Sequence, residues 1–222
     1  MGNHEYNAIC FHTKGSTGEY LRPRSNQNIK QHCATLHSFE NDTFLNESLE
    51  WFKQLPLYYE NDYIRVVHAC WEPEKIKVLE HQLGGNLLKQ EFLEASATEG
   101  TDLYEAVDIV LKGREIPLPE GITFTDKDDH KRDKIRVKWW EDFIGKSYQE
   151  VCIKTEESYK HLTDLVPSEK AGYPIYGKNE KPVFFGHYWL EADQPSIQQV
   201  NVCCLDYSVA KEGKLVAYRF DG

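Results

Sequence analysis

The sequence lacks the cysteine pairs that mark a zinc ribbon or a disulfide framework. Its six cysteines include no C-x-x-C pair, and their spacing is irregular. Reduced and mostly buried thiols are the better interpretation, and they are typical of a reducing compartment. The sequence also shows no signal peptide and no apolar run of membrane-spanning length. We therefore expect a cytoplasmic protein that binds no membrane.

An excess of positive charge is also missing. The chain has 26 Lys and Arg residues against 36 Asp and Glu residues, which gives a formal net charge of −10. Such a surface repels a polynucleotide backbone, so stable binding of nucleic acid is not expected. A small phosphorylated substrate remains compatible with this charge, because a bound metal ion reverses the local sign. No internal repeat or low-complexity tract occurs.

The hydrophobic pattern predicts helices in the first half of the chain and adjacent strands at its end. This order favours a mixed α/β fold in a single domain. Residues 6–23 are interpreted as an apolar start followed by a loop. One predicted helix is capped by Asn41 and ends at Pro56, and the others cover 25–39, 74–83, 87–95 and 101–112. The predicted strands cover 63–70, 181–187, 200–205 and 214–220.

Residues 113–181 differ in texture from the rest, and they are predicted to form a lid or insertion. Prolines and glycines punctuate this segment, and charged residues crowd its middle. Trp139 and Trp140 are expected to pack between lid and core, although stacking on a nucleobase is an alternative. The basic residues could line a substrate entrance, but the interleaved aspartates favour a solvated, self-paired face. These residues are Lys131, Arg132, Lys134, Arg136 and Lys138 with Asp126, Asp128, Asp129 and Asp133.

Three positions share the residue types that bind a transition metal. Gly2-Asn3-His4-Glu5 is predicted to be a tight turn that presents an amide and an imidazole, with Glu5 as a turn acceptor. His68 and His187 each lie at the C-terminal end of a predicted strand, where open sheets place ligands. Imidazoles with amide or carboxylate oxygens suit zinc, manganese or iron. A lone histidine at a strand end is more often structural, so the residues alone leave both interpretations open.

As a set, four motifs resemble the calcineurin-like metallophosphoesterases. They are Gly2-Asn3-His4-Glu5, Val66-Val67-His68-Ala69, Phe185-Gly186-His187 and Cys204-Leu205-Asp206-Tyr207. The similarity is greatest to the bacterial branch near diadenosine tetraphosphatases and serine/threonine phosphatases. It implies the C-terminal part of a two-sheet α/β/β/α sandwich with a helical or loop lid. The implied substrate is a dinucleoside polyphosphate or a phosphoprotein.

The resemblance also implies a role for each matching residue. Asn3, His68 and His187 would bind the second ion of a dinuclear site, with manganese, iron or zinc as the metal. His4 would protonate the leaving oxygen rather than bind metal. Two ions roughly 3.5–4 Å apart would hold the phosphoryl group and acidify an attacking water.

The sequence departs from the family in its earlier motifs. The family opens with Asp-x-His and Gly-Asp-x-x-Asp-Arg-Gly, and neither motif precedes Gly2 here. Many members read Gly-His-x-His at the last motif, where this chain has Trp189. We therefore expect the C-terminal part of a longer enzyme, with impaired activity and an exposed sheet edge that favours self-association.

The alternative is a catalytically inactive remnant that serves as a binding module. Arg22 and Arg24 could reach a phosphate, but a solvated loop is the simpler interpretation. The remaining histidines have no motif around them and are interpreted as surface or helix residues. They are His12, His32, His37, His81, His130 and His161.

Overall fold

The fold is mixed α/β, as the sequence predicts, and the chain forms two compact units. The computed structural model describes residues 1–39, 41–125, 131–153, 160–168 and 175–221. The first unit comprises Met1–Tyr59 and Pro73–Leu111, and the second comprises Glu60–Glu72 and Lys112–Gly222. Four of the charged positions discussed above, Asp126, Asp128, Asp129 and His130, lie outside the described residues.

The first unit is built from helices, and most of them match the sequence pattern. Ser25 and Asn41 cap two of them, each accepting a hydrogen bond from the backbone N–H three residues later. No helix in the described parts of the chain is long and apolar enough to cross a membrane. The helices are α1 (Asn3–His12), α2 (Asn26–His37), α3 (Asp42–Phe52), α4 (Pro73–Leu83), α5 (Leu93–Ala97) and α6 (Asp102–Lys112). A 3₁₀ turn at Gln90–Phe92 comes directly before α5.

The prediction of a turn at Gly2-Asn3-His4-Glu5 is wrong. These residues begin α1, with Gly2 as the N-cap. The Gly2 N–H donates to Glu5 Oε2 at 2.8 Å, so Glu5 accepts a local backbone bond as expected. The helix forms because Tyr6, Ile9 and their neighbours are buried along it. Tertiary burial therefore outweighs the weak helical periodicity of this stretch.

The largest sheet has four strands in the order β1-β2-β7-β8. Both neighbouring pairs among β2, β7 and β8 are parallel. Two-stranded sheets in the described residues pair β3 with β6, β4 with β5, and β9 with β10. The strands are β1 (Tyr58–Glu60), β2 (Arg65–Val67), β3 (Glu115–Pro117), β4 (Phe124–Thr125), β5 (Lys131–Arg132), β6 (Lys134–Arg136), β7 (Val183–Phe185), β8 (Val202–Cys204), β9 (Asp206–Tyr207) and β10 (Lys214–Leu215).

The predicted strands exist, but the observed ones are shorter. The largest error is the strand predicted at 214–220, which stops at Leu215 because β10 pairs only with the two residues of β9. The following segment packs through its rings instead. The ring centroid of Phe184 lies 5.4 Å from that of Tyr218 and 6.5 Å from that of Phe220.

The segment 113–181 has a hydrophobic core of its own in the part that the structure describes. A short helix, α7 (Tyr148–Val151), lies within it. Trp139 and Trp140 are buried, as expected of packing residues. The assignment of this segment as a lid remains a prediction. The buried cluster comprises Ile116, Leu118, Phe124, Ile135, Val137, Phe143, Tyr148, Val151, Cys152, Leu162 and Val166.

The cysteines behave as the sequence predicts. None of the six forms a disulfide, and five of them are buried. Burial raises the pKa of Cys204 to about 12, so its thiol stays protonated and unreactive near neutral pH.

An open apolar groove of about 660 Å³ borders β8, the edge strand of the four-stranded sheet. Ile197, Cys203 and Leu215 contribute to its lining, and Leu215 is 87% exposed. The predicted self-association through a sheet edge remains a prediction.

We predict that Gly113→Ala destabilises the protein by about 3 kcal/mol. Gly113 has φ 90°, and a Cβ there would overlap the hydroxyl of buried Tyr188 and lie 2.9 Å from its Cζ, so backbone strain and overpacking add together. Gly121→Ala is the matched control. Gly121 has φ 77° with nothing within 4 Å of its Cβ position, so it should cost roughly 1 kcal/mol. Urea unfolding measures both, and equal losses would contradict the packing argument.

Candidate functional site

His68 and His187 lie at the carboxyl ends of two neighbouring parallel strands. Val66 pairs with Phe184 across β2 and β7, and the Gly186 N–H donates to the His68 carbonyl at 2.9 Å, just beyond the last ladder residues. The two imidazole centroids are 5.2 Å apart, with an interplanar angle of 64°. The sequence predicts both strand ends, and the structure brings the two side chains into contact within the second unit.

The loop after β2 is held by bonds from the segment that follows α6. Trp139 Nε1–H donates to the Ala69 carbonyl at 3.1 Å. Arg114 Nε donates to Glu72 Oε2 at 2.9 Å, and its Nη2 donates to the other carboxylate oxygen. Both side chains are largely buried, at 12% exposed for Arg114 and 8% for Glu72. A paired and hydrogen-bonded charge of this kind tolerates burial, so the loop that carries His68 is fixed at both ends.

His187 lies at the centre of a three-residue turn. The Tyr188 N–H donates to the Gly186 carbonyl at 2.9 Å, and His187 has φ 73°. This is the rare form of γ-turn, which is strained for a residue with a side chain. Trp189 also has a positive φ, at 55°. Such conformations cost on the order of 1–3 kcal/mol each and persist where surrounding contacts impose them.

Asp206 supplies those contacts from β9. Its Oδ2 accepts from the Trp189 N–H at 2.9 Å, and its Oδ1 accepts from the Ser208 N–H at 3.2 Å. Its main-chain carbonyl accepts from the Leu190 N–H at 3.0 Å. Asp206 belongs to the fourth motif of the family resemblance, but the resemblance assigns no role to it. A strand-ending aspartate is a common turn residue, and nothing in the one-dimensional pattern connects it with His187.

Asn3 and His4 belong to the first unit, at the first turn of α1. His4 is exposed and Asn3 is half-buried. The structure therefore divides the predicted site residues between the two units, with Asn3 and His4 in the first and His68 and His187 in the second. The roles of Asn3 as ligand and of His4 as proton donor remain predictions of the resemblance.

Arg22 and Arg24 both make contacts within the first unit. Arg22 Nη2 donates to Asn28 Oδ1 at 3.0 Å and to Gln31 Oε1 at 2.7 Å, and burial lowers its pKa. The Arg24 guanidinium lies 3.7 Å from the centre of the Tyr20 ring, a cation–π contact. These contacts give both side chains a structural role, and their proposed contact with phosphate remains a prediction.

A histidine pair that sequence reasoning missed lies in the first unit. His12 Nε2 and His32 Nε2 are 3.0 Å apart, so one donates a hydrogen bond to the other. His32 is in a helix, as expected, but it is the buried residue of α2, whereas the predicted apolar face residue Ile29 is 42% exposed. Helical spacing places Ile29 and His32 near each other, so periodicity does not distinguish which side chain is buried.

The separation of the His68 and His187 rings is compatible with two ligands of one transition-metal ion. With metal–nitrogen bonds of about 2.1 Å, two imidazoles on one ion have centroids roughly 5 Å apart, close to the observed 5.2 Å. Among the described residues, no group of three or more His, Cys, Asp or Glu side chains is arranged to hold a metal ion. Metal binding by the pair therefore remains a prediction.

We predict that acid destabilises the first unit through His32. Burial, followed by the charges of His12, Arg22 and Arg24, lowers the pKa of His32 from 6.5 to about 4; the pKa of His12 is also lowered, by burial and Arg24, against an opposing effect of Asp42. Between pH 6.5 and 4 the unfolded chain binds a proton that folded His32 does not. Stability therefore falls as the pH drops through this window.

The test compares thermal midpoints at pH 7 and pH 5. His32→Gln should reduce the loss between these two values, because it removes a group that protonates only on unfolding. His37→Gln on the same helix is the control, since His37 is exposed. An unchanged pH dependence in His32→Gln would contradict the assignment.

Comparison of the chain with protein-family models, with curated proteins and with solved structures finds no match in any of the three.

Proposed function

We propose that this chain carries part of the active site of a metal-dependent phosphoesterase. Its substrate is a phosphate ester or phosphoanhydride, either a dinucleoside polyphosphate or a phosphoprotein. The proposed fold is the C-terminal part of the two-sheet sandwich that the four motifs imply. His68 and His187 are the proposed metal ligands, and manganese is the preferred ion, with iron or zinc as alternatives.

The observation that supports this proposal best is the contact between two histidines at the ends of β2 and β7. Parallel sheets commonly carry ligands at this edge. The rings meet at 5.2 Å between centroids, and one of them rests on a strained turn. Strain at a residue with chemically versatile nitrogens points to function.

Each residue has a defined task in the proposed reaction. When bound, a pair of divalent ions neutralises the phosphoryl charge and acidifies a water. His68 and His187 would hold their side of that centre through neutral imidazole nitrogens. His4 is the proposed acid that protonates the leaving oxygen, a step needed because an alkoxide is a poor leaving group at neutral pH. Asn3 is a further proposed ligand, through its amide oxygen.

The donors proposed in this chain are all neutral. Asn3, His68 and His187 bring no negative charge to a divalent ion, and hard ions favour carboxylates. We therefore expect weak metal affinity and low activity from the chain by itself. The alternative, an inactive remnant that serves as a binding module, also predicts low activity. Metal binding by the two histidines therefore distinguishes the phosphoesterase from the inactive remnant.

We predict that His68→Ala and His187→Ala each weaken Co²⁺ binding at least ~10-fold, because each removes one ligand. Cobalt absorption spectra report both the affinity and the nitrogen ligands. His161→Ala, an exposed histidine of the same unit, is the control and should bind as the unaltered chain does. Equal affinities for all three variants would refute the proposed ligands.

We also predict little hydrolysis of an aryl phosphate by the purified chain with added manganese, and substoichiometric metal after purification. Brisk hydrolysis that disappears in His4→Ala would contradict the expected impairment while supporting the assignment of His4 as the acid. A metal content near two ions per chain would contradict the weak neutral ligand set.

A further inference from the structure

The backbone of the turn that carries His187 depends on contacts with another element of the fold. An internal hydrogen bond joins the Tyr188 N–H to the Gly186 carbonyl. That bond closes the turn but does not select a positive φ for a residue with a side chain, since glycine is the residue that adopts such angles freely. Trp189 repeats the disfavoured angle two positions on. A contact from another element must therefore impose this backbone.

We infer that Asp206 is a positioning residue, which holds the backbone after His187 and thereby fixes the place of the His187 imidazole beside His68. Asp206 lies on β9, where it pairs with Leu215 of β10. It meets the turn with two acceptors, its Oδ2 on the Trp189 N–H and its main-chain carbonyl on the Leu190 N–H. These are the two backbone donors that follow Tyr188.

The carboxylate is chemically suited to this task. Its two oxygens each accept from a different backbone N–H, those of Trp189 and Ser208, and charged acceptors make the stronger bonds. An asparagine at this position offers one acceptor oxygen and one NH₂ group, so it can satisfy only one of the two donors. The bond from the Ser208 N–H orients the carboxylate, because Ser208 is only two residues from Asp206 in the chain.

Ser208 and Tyr188 reinforce the same arrangement. Ser208 Oγ donates to the Leu190 carbonyl at 3.1 Å, which secures the far side of the turn. The Tyr188 ring is fully buried and lies 5.7 Å from Phe185 between centroids. Side-chain packing thus fixes the residue after His187, while Asp206 fixes the backbone beyond it. The imidazole itself is left half-buried at the sheet end.

The consequence for metal binding rests on the proposed function, whereas the effect on His187 does not. Residues that orient a metal ligand are worth about 10–100-fold in affinity. Both Asp206 oxygens already accept backbone bonds, so we assign it to the turn and not to the metal. Asp206 should therefore act on the His68–His187 contact even when no metal is present.

The experiment compares Asp206→Ala, Asp206→Asn and Tyr207→Phe in the full chain. Tyr207→Phe is the matched control, because the Tyr207 hydroxyl bonds Ser196 and not the His187 turn. The first readout is the nuclear Overhauser effect between the His68 and His187 ring protons in metal-free protein. The second is the dissociation constant for Co²⁺.

We expect Asp206→Ala to lose the ring contact and to bind Co²⁺ about 10-fold more weakly, while Tyr207→Phe keeps both. Asp206→Asn should change both in the same direction by less, and it decides the question if Asp206→Ala fails to fold. If both Asp206 variants keep the ring contact, the inference is overturned. If they keep the ring contact but lose cobalt affinity, Asp206 is a metal ligand instead.

The two proposals fail separately. If the unaltered chain does not bind Co²⁺, or if the ring contact is lost with no change in affinity, the proposed metal site fails and the positioning role stands. If Tyr207→Phe loses the ring contact as fully as Asp206→Asn does, the effect is general destabilisation and the positioning role fails.

Discussion

Parallel hydrogen bonding between β2 and β7 is the constraint on which the candidate site depends. Parallel neighbours bring the same end of each strand together. Two histidines that are distant in the sequence therefore meet because each follows its strand. The first bond beyond the ladder, from the Gly186 N–H to the His68 carbonyl, extends this register to the histidines. A one-residue slip would turn every side chain of β7 to the opposite face.

The cost of this arrangement appears in the turn after β7. His187 and Trp189 adopt backbone angles that residues with side chains seldom take, and the structure offsets the strain with the hydrogen bonds of Asp206. Buried Tyr188 packs beside Gly113, where the absence of a Cβ is necessary. The strained angles, a glycine with a structural reason and the carboxylate of Asp206 all lie around the turn that carries His187. Such a concentration is typical of functional sites.

Local chemistry explains which parts of the fold the sequence predicts well. The helix that Asn41 caps and the helix from Asp102 follow from capping residues and apolar spacing, which act over a few positions. The existence of a strand follows from a short apolar run, but its length depends on the partner strand. The last strand stops at Leu215 because β9 offers two residues for pairing. Short-range patterns contain no information about the length of a partner strand.

Some residues of the candidate site are likewise predictable from local sequence, whereas others depend on distant contacts. His68 and His187 are predictable, since each follows an apolar run that ends at a loop. The turn predicted at Asn3 and His4 is wrong, because burial of the residues that follow drives a helix. Asp206 and His32 are not identifiable in advance. Their roles come from contacts with distant residues, Trp189 for the former and His12 for the latter.

The central claim is that His68 and His187 share one metal ion. Anomalous diffraction from crystals soaked in manganese tests it most directly, because the signal locates the ion without assuming its ligands. We expect one anomalous peak about 2.2 Å from a ring nitrogen of each histidine. A peak bound to other residues, or none at a manganese concentration that saturates binding in solution, would contradict it.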